Sequence, residues 1–594
     1  MIRNTTRRTR LLSWRYLRWA IALPTLPMAW WACISHPLTQ PVPEPEQQTD
    51  IYISVAPIRE LDLVFMVDNS PSMAPKVDKM NKQFINLISA LKDPSDGTYP
   101  DLRVALIDSD LGTGGAYAKD SCGPNDSNGQ SAYGDLGNFQ MRKGTDCGMN
   151  SADALWLEYT KGSPVNYTAK PGQDINNVFQ CLATNLGTVG CGEEHQLQAF
   201  EFALIAQNLH TDKYASQNTF LRPEAYLGLV FLSDEDDCSA ATNDGMFGDK
   251  LELRGESASL RCSTRGHMCN GKNLSDITPP GYPTTAAFQA DFTACAPRTD
   301  SCPNTTDGAK DGTDTSGPTS CTPLKSVENL ANELKGLKGD QAAEKILVAG
   351  IFGWPRKGSD GKPDFSKANK YRIDLTPNPN SADDAHKQIY DYWPVCYDPN
   401  HMPKNGTDFD GDAWGWGAEG GLRESAFIDQ FGENGLKYSI CEPDFADAMK
   451  GIGDAIAKKL QNLCVDAKLY DTDLDPNNAT VADLKADCRV VFRNPVVGKD
   501  GKITYTEDSK SMPKCPDGAT NGKVDPHCWQ LTIDKKKCPI NGQLIQVLRT
   551  ADEVAAGPLT PGTKVGMQCR TCPDDISMLS PDSDSYKACS YKPF

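Results

Sequence analysis

Asp68, Ser70 and Ser72 follow one another at a spacing of two in the run LDLVFMVDNSPSM, Leu61 to Met73. Pro71 keeps that loop out of regular structure, and one carboxylate with two hydroxyls on a tight loop is a set of hard oxygen ligands suited to Mg²⁺, Mn²⁺ or Ca²⁺. A second acidic cluster, Ser233-Asp234-Glu235-Asp236-Asp237, follows another apolar run, Tyr226 to Leu232. The competing reading of the serines is helix capping, since serine is favoured at helix starts. Capping needs neither Asp68 nor Asp234, so a cation site is the better expectation. Asp236 and Asp237 are expected to be solvated or to stand behind the ligands.

The elements that would position these residues are legible as apolar runs. Leu61 to Val67 reads as a strand buried on both faces. Lys76 to Leu91 carries Val77, Met80, Phe84, Leu87, Ile88 and Leu91 at helical spacing, and Leu102 to Ile107 is a second buried strand. This β-α-β opening predicts parallel strands. Asp174 to Leu186 is expected to be helical, followed by the loop GTVGCG, Gly187 to Gly192, and a helix from Glu193 to about Leu209. Cys181 and Cys191 bracket that loop, and a bridge between them would hold it rigid. Further strands are expected at Tyr226–Leu232, Lys345–Phe352 and Leu436–Cys441, with helices at Leu324–Leu337 and Glu419–Phe431 and a last one carrying Phe445, Met449, Ile452, Ile456 and Leu460. Strands alternating with helices across 57–461 specify an α/β fold, a doubly wound, mostly parallel sheet. Its ligands bind beyond the carboxyl ends of strands, where strand order reverses. Insertions near 109–172, 239–322 and 353–418 interrupt it, rich in polar residues and stapled by cysteines. The first of them could add a short edge strand around Phe139 to Arg142. Residues 462–594 read as a small Cys-rich β domain, from short alternating runs between Gly, Pro and Asp.

With the D-x-S-x-S loop after a buried strand and a strand-ending S-D in an α/β series, residues 57–461 resemble the von Willebrand factor A (vWA) family, of the bacterial exported lipoprotein type. The resemblance implies a metal-ion-dependent adhesion site: Asp68, Ser70 and Ser72 from the first loop, a threonine from the loop between the second and third helices, and an aspartate after the fourth strand, here Asp234. The family's common T-D-G is S-D-E in this chain. Thr188 is the threonine the loop offers, with Glu193 or Glu194 as substitutes that would make the site more anionic and favour Ca²⁺. In the family such a site leaves one metal position open for an acidic group of a partner.

A net charge of −18 over 594 residues argues against a nucleic-acid partner, which needs a basic footprint. The 21 cysteines point to disulfides and an oxidising compartment. Residues 1–33 read as a signal peptide: arginines precede a short apolar run, Trp19 to Ala32, too short for a membrane-spanning helix. Cys33 then resembles the lipidated cysteine of bacterial lipoproteins, although Trp30 and Trp31 stand where that box prefers Leu and a small residue. Thr6-Arg7-Arg8 faintly resembles a twin-arginine signal, with Arg10 in place of the usual Phe. Setting Cys33 aside leaves twelve cysteines from Cys122 to Cys441 and eight from Cys464 to Cys589, which suggests two separately closed sets. Residues 34–56 are proline-rich and read as a tether.

Weaker candidates are the acidic runs Asp408-Asp410-Asp412 and Asp471-Asp473-Asp475, which resemble additional Ca²⁺ loops but more often are solvated turns. Pro476 and Ala482 stand where an EF-hand needs Gly and Glu. Cys569-x-x-Cys572 is more often structural than redox-active or zinc-binding. His195 is expected at the surface, and the WGWG run at 414–417 is expected to be packed. No G-x-S-x-G, H-E-x-x-H or P-loop is present to carry an enzyme. The expectation is therefore a non-enzymatic, envelope-anchored adhesion or protein-interaction module. It would use Mg²⁺, Mn²⁺ or Ca²⁺ to bind a carboxylate on a protein or glycan ligand and reach the membrane through a lipid anchor. The alternative is a structural subunit of an envelope, motility or secretion complex with a vestigial metal site.

Overall fold

The run that ends at Asp68 is a strand, Glu60–Val67, at the centre of a seven-stranded sheet. The computed structural model describes residues 47–590 outside 55–59, 93–98, 112–133, 161, 169–173, 189, 191–193, 241–256, 275–289, 302–320, 359–370, 378–387, 404–414, 461–463, 466, 475–483, 498–502, 534–537, 539–542, 557–558, 560–562 and 574. In chain order the strands used below are β1 (Gln47–Ser54), β2 (Glu60–Val67), β3 (Asp101–Asp108), β4 (Leu157–Thr160), β5 (Ser163–Pro164), β6 (Tyr226–Leu232), β7 (Ile346–Phe352) and β8 (Gly435–Ser439). The helices are α1 (Ala74–Ala90), α2 (Ile175–Leu186), α3 (Gln196–Leu204), α4 (Ala258–Gly266), α5 (Val327–Gly336), α6 (Leu422–Asp429) and α7 (Ala446–Leu460). The sheet runs β8-β7-β6-β2-β3-β4-β5. Its first five strands are parallel, and β4 and β5 are antiparallel at the edge.

β2 is buried on both faces, as its continuous apolar run requires. Leu63, Phe65 and Val67 pack with α1, α2 and α7, while Val64 and Met66 pack with α3, α5 and α6. Phe84 of α1 and Phe179 of α2 stack with ring centroids 3.6 Å apart. Burying such a side chain contributes about 2–3 kcal/mol. Because β3 lies on one side of β2 and β6 on the other, the strand order reverses at β2. The fold is thus mixed α/β with a mostly parallel central sheet.

The insertions contain more structure than their composition indicates. The first supplies β4 and β5, while Phe139 to Arg142 is turn and coil rather than an edge strand. Phe139 is buried against Phe220, with ring centroids 4.8 Å apart. The second and third insertions interlock: Ala290–Phe292 pairs with Tyr371–Ile373, and Ile373–Pro377 pairs with Gln388–Tyr392. Leu260 of α4, Leu274, Ile373, Tyr390 and Tyr392 form a small core of their own.

Disulfides join Cys147 to Cys181, Cys238 to Cys262, Cys269 to Cys295 and Cys396 to Cys441. Cys321 is also bonded. Cys181 therefore fastens α2 to the first insertion and not to Cys191, which lies outside the described residues with Cys122 and Cys302. One turn separates Cys181 from the end of α2, and its side chain faces the insertion, where Asn185 also reaches Cys147. All eight cysteines from Cys464 onward pair among themselves, as 464–538, 488–569, 515–528 and 572–589. So dense a set of bridges is the signature of an oxidising compartment.

The C-terminal region holds β9 (Cys488–Val497), β10 (Ile503–Glu507), β11 (Cys528–Ile533), β12 (Gln543–Leu548) and β13 (Lys564–Thr571). β11 and β12 form a hairpin, and the larger sheet runs β1-β13-β9-β10. The stretch 34–56 is consequently not tether throughout: β1 pairs antiparallel with β13 from Gln47 opposite Thr571 to Ser54 opposite Lys564. The prolines end at Pro45, and the residues after them alternate in a strand-like way, Asp50-Ile51-Tyr52-Ile53-Ser54. Among the described residues no helix is long and apolar enough to cross a membrane.

Candidate cation site at the carboxyl end of the sheet

Two ladder hydrogen bonds carry the sheet past its strand ends and fix the site. The Asp68 N–H donates to the Leu232 carbonyl at 2.9 Å, and the Ser233 N–H donates to the Ile351 carbonyl at 3.2 Å. The ends of β2 and β6 are thereby held side by side. Asp68 Oδ1 accepts from the Ser70 N–H at 2.8 Å, and Asp68 Oδ2 accepts from Ser233 Oγ at 2.8 Å. Ser70 Oγ and Ser72 Oγ are 3.1 Å apart, and Ser72 Oγ donates to Asp234 Oδ1 at 3.1 Å. Neither serine side chain caps a helix: Ser70 precedes the 3₁₀ turn Pro71–Met73 without a side-chain cap, and α1 starts after Met73. Four residues expected from the sequence, Asp68, Ser70, Ser72 and Asp234, thus converge.

These oxygens suit a small divalent ion. Around Mg²⁺, with bonds of about 2.1 Å, neighbouring ligand oxygens in an octahedron lie about 3.0 Å apart. The two spacings of 3.1 Å match that edge. Burial first, and then the charge of Asp234, push the Asp68 carboxyl up to about 6, against the hydrogen bonds from Ser70 and Ser233. Like charges held together out of water favour a cation between them. One is already in contact: the Lys76 ammonium forms an ion pair with Asp234 Oδ2, and both side chains are buried. Among the described residues no three His, Cys, Asp or Glu side chains gather as metal ligands, so a metal here would rest on two carboxylates and hydroxyls.

The third wall is formed differently from expectation. The Gly190 N–H donates to the Asn69 carbonyl at 2.8 Å, which sets the end of the 187–190 loop against the site loop. A β-carbon at position 190 would meet the end of the Asn69 side chain, which would have to move aside, so glycine suits this close approach. Thr188 is half-buried in that loop, and the hydrogen bonds described for the four converging residues do not run to it. Glu193 lies outside the described residues. Glu194 is buried and hydrogen-bonds Glu235, whose carboxyl is driven far above its usual range by burial and by Asp234, Glu419 and Asp68 around it. The WGWG run contributes too: Gly415 lies beside the Ser72 carbonyl and Pro75, and Trp416 stacks on His401 with centroids 3.6 Å apart. Trp414 lies outside the described residues.

Two expectations are corrected here, the solvation of Asp236 and Asp237 and the exposure of His195. Asp236 and Asp237 are not solvated but buried. Asp236 Oδ1 accepts from the Arg423 N–H at 3.1 Å, at the start of α6, and its carboxylate pairs with His267 at 2.8 Å. Asp237 accepts from the Leu197 N–H at 3.0 Å, at the start of α3, and pairs with Arg423 at 3.0 Å. His195 is buried, with its N–H on the Ser109 carbonyl at 3.0 Å. Asp471 accepts from the Asp473 and Lys485 N–H groups, and Asp473 pairs with Lys485, so the two described acids of this run are engaged by the chain itself; Asp475 and the run at 408–412 lie outside the described residues. Cys569 and Cys572 belong to different disulfides.

Sequence reasoning missed Ser233, Gln196 and Lys76. Gln196 Nε2 donates to Ser233 Oγ at 2.8 Å and so orients the hydroxyl that holds Asp68. Nothing local in the sequence signals this contact. Lys76 did leave a signal: it lies in the first turn of α1, where a cation opposes the helix dipole and needs an acidic partner elsewhere.

No protein-family model matches the chain, and no curated protein matches it. Among solved structures it is similar to the adhesive tip pilin GBS104 from Group B Streptococcus agalactiae, at 12% identity and a TM-score of 0.24, over 89% of this chain and 81% of that one. It is also similar to the pilus adhesin RrgA from Streptococcus pneumoniae, at 10% identity and a TM-score of 0.24, over 88% of this chain and 58% of that one. Likeness at this level carries no functional argument, and the site is read from its own residues.

Proposed function

We propose that residues 57–461 form a vWA-type domain that binds a divalent cation, Mg²⁺ before Mn²⁺ or Ca²⁺, through Asp68, Ser70, Ser72 and Asp234. The domain acts as an adhesion or protein-interaction module and not as an enzyme. The observation that carries this reading is the meeting of the two acidic strand ends, with hydroxyls at ligand spacing, at the point where strand order reverses. A bound ion would supply a Lewis-acidic position for a carboxylate of a protein or glycan partner. The chain's own part is to hold the loop: Ser233 and the Ser70 N–H orient Asp68, and the Asp234 carbonyl is fixed by the Glu419 N–H at 2.8 Å. Millimolar Mn²⁺ is expected to raise the melting temperature of the wild-type chain, by about 1–3 kcal/mol of added stability for an ion at 10–100 times its dissociation constant. The rise should vanish in Asp68→Ala; an equal rise in both proteins would remove the site from consideration.

The disulfides, the signal-like residues 1–33 and the acidic balance support an exported protein of a bacterial cell envelope, lipid-anchored through Cys33 at the outer membrane or cell surface. Labelling cells with a palmitate analogue should tag the wild type and leave Cys33→Ala untagged; an untagged wild type excludes lipidation. The Lys76 ion pair on Asp234 favours a second reading, a structural subunit of an envelope, motility or secretion complex whose site holds no metal.

A further inference from the structure

We propose that Lys76 is the resident cation of the Asp68–Asp234 site, and that a divalent ion binds only by displacing its ammonium from Asp234. The inference rests on the reading of these oxygens as a cation site and adds what governs occupancy. Lys76 and Asp234 are in direct contact, with side chains only 1% and 4% exposed. The other Asp234 oxygen takes the Ser72 hydroxyl, so both oxygens are engaged by the chain itself. Lys76 stands in the first turn of α1 right after Pro75, where partial positive charge from free N–H groups disfavours an ammonium and where α1 carries no acidic residue. Asp234, from across the sheet, is its ion-pair partner.

Lys79, the next lysine along α1, does not share this role. Its ammonium is held by Asp398 at 2.5 Å and by the Glu442 carbonyl at 2.8 Å, and lies 5.2 Å from the Trp416 ring centroid. The two ammonium groups are thus assigned to separate carboxylates. With Lys76 in place, Asp68 and Asp234 together carry one uncompensated charge rather than two when both are ionised. A divalent ion meets a site already half neutralised, with a fixed positive charge beside it. The loop keeps its shape without metal, and metal affinity is held down.

Titration calorimetry with Mn²⁺ on the wild type, Lys76→Met and the double variant Lys76→Met/Asp68→Ala tests this. Removing a unit charge within ion-pair distance of a ligand should tighten Mn²⁺ binding by about tenfold or more in Lys76→Met. The gain should be lost in the double variant. Lys76→Gln serves the same comparison if the Met variant does not fold, as judged by its melting curve. Equal or weaker binding in the lysine variants overturns the role of Lys76 while leaving the cation site standing. Mn²⁺ binding by none of the proteins overturns both.

Discussion

The five residues Ser233 to Asp237 show how finely one short acidic run is divided. Ser233 holds Asp68, Asp234 faces the site, and Asp236 and Asp237 cap α6 and α3 while pairing with His267 and Arg423. Only position along the turn decides which carboxylate is available to a ligand and which is spent on helix starts. A different buried acid, Asp391, offers a clean electrostatic test. It accepts from Ser257 Oγ at 2.7 Å and the Tyr392 N–H at 2.9 Å, yet burial raises its carboxyl to about 6. Between the unfolded value of 3.8 and about 6 the folded chain binds the extra proton, so stability from this group falls as pH rises through that window. Asp391→Asn should therefore be the more stable protein at pH 7, by up to about 3 kcal/mol, with the advantage gone below pH 4. Denaturant midpoints at the two pH values check it, and a difference independent of pH would exclude this account.

At the scale of elements, the parallel strands and the helices between them were legible because each is a local, continuous pattern. Leu61 to Val67 and Tyr226 to Leu232 are buried on both faces and so cannot hide in alternation. Half of the site was legible with them, since Asp68 and Asp234 sit directly after those runs. What could not be read was made by distant pairing. Ala290–Phe292 meets Tyr371–Ile373, Cys181 meets Cys147 rather than its nearer neighbour, and β1 meets β13 across almost the entire chain. Pairing over such separations leaves no local signal of the partner, even where one strand, as in β1, shows alternation of its own. Thr188 is what the family pattern implies, whereas the contact that seats its loop is made by Gly190. The pairing of β1 has a testable weight. A chain beginning at Glu60 lacks β1 and leaves β13 as an unpaired edge, the kind of edge that recruits other chains. It should melt at a lower temperature and associate at micromolar concentration by analytical ultracentrifugation. A monomer of unchanged stability would show that β1 is dispensable.

For the whole molecule, the insertions are not scattered. They follow the carboxyl ends of β3, β6 and β7, three of the five parallel strands, and so all emerge at the end of the sheet that carries Asp68 and Asp234. The inserted segments are concentrated at one end of the sheet, and bridges such as Cys396–Cys441 and Cys238–Cys262 fasten them to the framework. The C-terminal region closes its own four disulfides yet borrows its edge strand from ahead of the α/β domain. That borrowing has a mechanical side. A pull applied at Gln47 and opposed at Asp68 is carried by the covalent chain, a cable that includes β1 and β2 in sequence. The C-terminal sheet, gripping β1 from the side, acts as a brace on that cable rather than as a link in it.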